Sequence, residues 1–112
     1  MRLREIVEAL ELTVKAGQAG LDAEVTGGYA ADLLSCAMAG AHQGNLWVTL
    51  QGHLNVVAIA TLGELAGVIV SEDKPIAPEA LAKADEEGVP ILSTALTTFE
   101  LAGRLWEMGV RS

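Results

Sequence analysis

Leu46-Trp47-Val48-Thr49-Leu50, running through Gln51-Gly52-His53 into Leu54-Asn55-Val56-Val57-Ala58-Ile59-Ala60-Thr61-Leu62, is the stretch on which the fold turns. Its first five residues are strand formers almost without charge, the composition of a central strand covered on both faces. The nine from Leu54 admit two readings. Val56, Val57 and Ile59 favour a strand, which would make a hairpin at Gln51-Gly52-His53, whereas Ala58, Ala60 and Leu62 suit a buried helix. The helix is preferred because Gly67 to Val70 then supplies the following strand, and parallel strands need a crossover of about a dozen residues or more. A strand, helix, strand unit implies a largely parallel sheet with helices on both faces and right-handed crossovers.

The flanking segments repeat this alternation. Pro78 at a first helical position, Glu79 in the first turn, and Gly88 with Pro90 after the last turn bound a helix through Ala80, Leu81, Ala84 and Glu87. Val89 to Leu92 follows as a short buried strand, and Thr97 with Glu100 makes a capping box for a helix through Leu101, Leu105 and Met108. Towards the amino terminus, Leu3, Ile6, Val7 and Leu10 at helical spacing give an amphipathic helix. Glu11 to Ala16 then alternates like an edge strand, closed by a flexible Gly17-Gln18-Ala19-Gly20. Glu24-Val25-Thr26, Gly27-Gly28 and Tyr29 to Ala39 read as strand, tight turn and helix, with Gly40 as the stop.

Composition narrows the function. A chain of 112 residues and 11.7 kDa, 51% apolar and 20% charged, is one packed domain over residues 1–112. A net charge of -8 repels a polyphosphate backbone, and four scattered aromatics make no base-stacking platform, so nucleic acid is not an expected partner. Apolar runs stop well before the roughly 20 residues a spanning helix needs, and Met1 to Leu10 carries four charges, so a cytoplasmic chain with no membrane contact is expected. The lone Cys36 forms no internal disulfide and reads as a small buried hydrophobe on an Ala-rich helix. No metal-ligand spacing, phosphate-binding glycine loop or nucleophile elbow is present, so no metal and no cofactor is expected.

In a sheet of this kind a ligand lies beyond the carboxyl ends of the strands. There the sequence turns small and polar, and the candidate ligand residues are Thr26, Gly27 and Gly28, then Gln51, Gly52, His53 and Asn55, then Ser71, then Ser93 and Thr94. Gly27-Gly28 and Gly52-His53 run directly into helices, whose free amides and dipole would hold a phosphate or carboxylate. The same residue types are also ordinary turn and cap formers, and His53 is three times better explained as a cap than as a base or metal ligand. His42 and Asp85-Glu86-Glu87 read as solvated.

Leu33-Leu34-Ser35-Cys36-Ala37-Met38-Ala39-Gly40-Ala41, Gly44-Asn45-Leu46-Trp47-Val48-Thr49, Asn55-Val56-Val57-Ala58, Gly88-Val89-Pro90-Ile91-Leu92-Ser93-Thr94 and Thr97-Thr98-Phe99-Glu100 together resemble the DRTGG domain family over about Glu11 to Met108. That family occurs as a module of phosphotransacetylases and of CBS-domain pyrophosphatases, and it is similar to the amino-terminal domain of HPr kinase. The resemblance implies a three-layer α/β/α domain, commonly dimeric, with a regulatory or ligand-sensing role. It also selects the helix for Leu54 to Leu62. The residues for which the family is named would fall where this chain has Gln51 to Asn55 and Ser71 to Lys74 instead.

The expectation is therefore a non-catalytic regulatory or interaction module, a homodimer that takes a small anionic metabolite or nucleotide at its strand-end rim, or a protein partner. The dimer is expected because the helix of Val56, Val57, Ile59, Ala60 and Leu62 is apolar nearly all round. Two alternatives stay open: a small transferase or hydrolase using His53 with Glu72 or Asp73, and a pure dimerisation scaffold.

Overall fold

A computed structural model describes all of residues 1–112. Five strands form one sheet in the order β1-β5-β4-β3-β2, where β1 is Thr13–Ala16, β2 Gly27–Ala30, β3 Asn45–Thr49, β4 Gly67–Val70 and β5 Ile91–Ser93. Strands β2 to β5 run parallel, and β1 closes one edge antiparallel to β5. The expected parallel α/β sheet is thus present, with β4 at its middle and β3 one step away. Five helices cover it: α1 (Leu3–Leu10), α2 (Leu34–Gly40), α3 (Leu54–Leu62), α4 (Pro78–Glu87) and α5 (Thr98–Glu107).

The strands alternate their side chains between two cores. Trp47, Val68, Val70 and Ile91 face α2, α3 and α4, while Leu46, Val48, Ile69 and Leu92 face α1 and α5. The result is a three-layer α/β/α domain. Trp47 is fully buried and donates its indole N–H to the Ala31 carbonyl at 2.9 Å, which satisfies its one polar group.

Helix α3 sits between α2 and α4 and buries Val56, Val57, Ile59 and Ala60. That placement explains most of its all-round apolarity inside one protomer, since the middle helix of three has covered flanks. What remains outside is a stripe with Leu54 and Leu62, beside Leu33 and Met38 from α2.

The segment around Gly27-Gly28 differs from the expected turn. Gly27–Ala30 is itself strand β2, and the helix starts only at Leu34. The reason lies at the other end of the chain, which passes over this edge. The Gly28 N–H donates to the Arg111 carbonyl at 3.0 Å, and a Cβ on Gly27 would stand 2.5 Å from that same oxygen. These glycines admit a close backbone neighbour, the alternative meaning of glycine in a strand. Cys36 is exposed rather than buried, because the short helix α2 turns only Ala37 fully inward. The expected flexible link after β1 is a 3₁₀ turn, Gln18–Gly20, and Asp85 is more than a solvated charge: its Oδ1 accepts the Gly17 N–H at 2.7 Å.

Candidate ligand site at the strand ends

The parallel strands end at Ala30, Thr49, Val70 and Ser93, so the rim is built from the segments after them. Gln51, Gly52, His53, Asn55, Ser71, Ser93 and Thr94 lie there as expected. Thr26, Gly27 and Gly28 do not. Gly27 is in register with Asn45, the first residue of β3, and Thr26 donates its hydroxyl to the Gln43 carbonyl at 2.8 Å, at the opposite end of the sheet. The residue that β2 does deliver to the rim is Asp32, whose Oδ1 accepts the Leu50 N–H at 2.8 Å and the buried Thr49 hydroxyl at 3.2 Å.

On the β3 side, the polar groups satisfy one another. His53 is the N-cap of α3, its Nδ1 accepting the Asn55 N–H at 3.0 Å, which places the ring proton on Nε2. Gly52 is required by packing: a Cβ there would meet the Pro75 carbonyl oxygen at 2.1 Å, and its own carbonyl accepts the Ala77 N–H at 2.9 Å. The loop after β4 therefore lies directly across the turn before α3. Gly27-Gly28 thus does not open a helix, whereas Gly52-His53 does lead into α3, with Gly52 packed against the loop after β4 and His53 exposed.

Ser71 is fully buried, with its hydroxyl 2.7 Å from Thr98 Oγ1, and Thr98 donates that hydroxyl and its N–H to Glu72 Oε2 at 3.2 and 3.1 Å. Ser71 thus donates to Thr98, and Thr98 donates to Glu72. Glu72 caps the first turn of α5 from outside, next to the Thr97 cap whose Oγ1 accepts the Glu100 N–H at 3.1 Å. His53 and Glu72 are not hydrogen-bonded to each other: His53 Nδ1 accepts the Asn55 N–H, and Glu72 accepts from Thr98.

The β5 side is open. Two hollows of about 370 and 350 Å³, one towards α1 and α5 and the other towards α4, share Asp73 and Ser93 in their linings and together make up the cleft beside β1 and the loop after β4. One lobe holds Glu11, Thr13, Thr94 and Arg104, and the other Lys15, Lys74 and Pro75. Glu72 and Asp73 adopt the left-handed conformation, at φ 60° and 52°, a strained arrangement for side-chain-bearing residues that turns the chain sharply into this cleft. It is held by the Glu72 and Asp73 N–H groups donating to Leu96 and Thr94 carbonyls at 3.0 and 2.9 Å. Arg104 is paired with Glu100 at 3.1 Å. The shifted ionisations lie away from this cleft: the Arg4 guanidinium hydrogen-bonded to Asp22, for example, holds that exposed carboxyl below its usual range.

Asp32, Lys15, Lys74 and Thr98 were not among the candidates read from the sequence. Lys15 is the extra residue where β1 slips register against β5, since Val14 pairs with Leu92 and Ala16 with Ile91, and only the pairing reveals it. Lys74 precedes Pro75 in a loop, a turn signal without any hint of its neighbours.

No protein-family model matches the sequence, and no curated protein does. Among solved structures, the chain is similar to the CBS and DRTGG domains of the regulatory region of a Clostridium perfringens pyrophosphatase, complexed with its activator diadenosine tetraphosphate. The TM-score is 0.72 at 12% identity, covering 91% of this chain and 44% of that one. The chain thus spans less than half the length of that regulatory region, and the likeness is one of fold: a DRTGG-like three-layer α/β/α domain.

Proposed function

We propose that this protein is a non-catalytic regulatory module, a homodimer that senses a small anionic metabolite or nucleotide at the carboxyl ends of its strands. The observation that carries the reading is the polar cleft at the rim of a sheet whose fold is shared with a regulatory region. Of the rim residues, Ser93 and Thr94 line this cleft, and Gln51, Gly52, His53, Asn55 and Ser71 lie along the same edge of the sheet. Thr26, Gly27 and Gly28, at the opposite end of the sheet, are not part of the proposed site.

The dimer rests on a second observation. Leu33, Met38, Leu54 and Leu62 of the neighbouring α2 and α3 and the α2 cap are 64%, 61%, 37% and 79% exposed, large apolar side chains open to water, of which Met38 and Leu62 line one hollow. Native mass spectrometry of the purified protein tests both parts at once. The expected spectrum has a species of twice the 11.7 kDa chain mass, carrying a retained small molecule in a fraction of the population. A bare monomer at micromolar concentration would overturn the proposal.

A further inference from the structure

We infer that the cleft between Lys15 and Lys74 binds a phosphate monoester whose organic part carries hydroxyl groups, an inference that rests on the ligand-sensing reading and gives it a seat and a chemical class. The first support is the distribution of charge. The chain has seven Lys and Arg against fifteen Asp and Glu, yet three of the seven cations line this cleft and only two of the fifteen acids, Glu11 and Asp73. With Arg104 paired to Glu100, it is the lobe of Lys15, Lys74 and Asp73 that keeps a local excess of positive charge on an acidic surface, which favours an anion there.

The second support is that Lys15 and Lys74 are uncommitted. Arg4, Lys83 and Arg104 are all tied up in ion pairs, with Asp22, Glu86 and Glu87, and Glu100. Lys15 and Lys74 take part in none, although carboxylates are twice as numerous as cations. Lys15, moreover, is the bulged residue of β1, and a bulge re-aims a side chain that a regular strand would carry elsewhere.

The third support is the matching of groups along the cleft. Two ammonium point charges beside the Ser93 hydroxyl suit a phosphate, which carries close to two negative charges at neutral pH, better than a planar carboxylate, for which a guanidinium fork is the better partner. Asp73, which lines both lobes, and Glu11 in the adjoining one repel an anion but accept hydrogen bonds, so the ligand groups beside them must donate them, as sugar hydroxyls do.

The experiment is an NMR and calorimetric titration with inorganic phosphate, ribose 5-phosphate, AMP and adenosine at low ionic strength. Ribose 5-phosphate and AMP should bind and shift the amide signals of Lys15, Lys74 and Ser93, adenosine should not, and added salt should weaken both complexes. Lys15→Gln and Lys74→Gln should each raise Kd about tenfold, the loss of one charge-assisted hydrogen bond, with melting temperature unchanged because both side chains are exposed. Lys83→Gln makes the same change in net charge away from the cleft and should leave Kd unchanged. Binding that is indifferent to both cleft lysines and shifts His53 and Asn55 instead would overturn this seat while sparing the ligand-sensing reading. No binding by any of the phosphates at millimolar concentration would overturn both.

Discussion

Along the carboxyl ends of the strands, the half of the rim between β2 and β4 and the half between β4 and β1 draw on the same residue types, yet the first ties several of its polar groups to one another and the second leaves two lysines without an ionic partner. Around α3, Asp32 holds Thr49 and Leu50, His53 caps its own helix, and Ser71, Thr98 and Glu72 hydrogen-bond in series. Around β1, Lys15 and Lys74 face a cleft without an ionic partner. Strand-to-helix turns have orphan amides to satisfy, and small polar residues do that first. A polar residue at a strand end is therefore a structural group by default, and a ligand site is better recognised by charges that the protein has left unpaired.

Four substitutions on the first half test its structural character. Gly52→Ala should have the largest effect, because the new methyl would occupy space held by the Pro75 carbonyl and the backbone on one side must move. The expected loss is about 3 kcal/mol, of the order of severe overpacking, read as a lower urea midpoint. An unchanged midpoint would mean that the loop after β4 does not lie across this turn.

A double-mutant cycle on the buried hydroxyl pair should give an intermediate effect. Ser71→Ala and Thr98→Val are each expected to lower stability by about 1–2 kcal/mol, by removing the bond between the two hydroxyls and, in Thr98→Val, the one to Glu72 as well, and the double variant by clearly less than the sum. Strict additivity would show that the two hydroxyls do not meet. The smallest effect is expected for His53→Ala, which removes one N-cap bond at an exposed position and should cost about 0.5–1 kcal/mol. AMP affinity should not change; a large loss of affinity in this variant would erase the distinction between the two halves.

Much of the fold was legible in the sequence, and the reason is the short range of the signals. The limits of α4 follow from Pro78 and Gly88, the latter indeed left-handed at φ 71°, and the start of α5 follows from the Thr97 side chain. In the Thr97 box one half forms as read, while Glu100 turns to Arg104 and Glu72 arrives from another loop to serve the same turn. Gly27-Gly28 was misread because a glycine pair serves a turn and a close backbone approach equally well, and the Arg111 carbonyl that decides between them is more than eighty residues away. The site was legible only as a rim. Which half is open depends on Lys15 slipping out of register with β5 and on the loop of Glu72 and Asp73, neither of which has a local signature.

The amino-acid sequence by itself determined the alternation of strands and helices, the parallel sheet and hence the end of the molecule at which its polar turns gather, because caps, breakers and hydrophobic periodicity act between residues a few positions apart. Only the tertiary structure decided which of those polar groups are already bonded to one another, which glycines face a backbone and which cations stand alone. Those outcomes are set by contacts between segments distant in the chain, where packing chooses among local options that the residues leave equal.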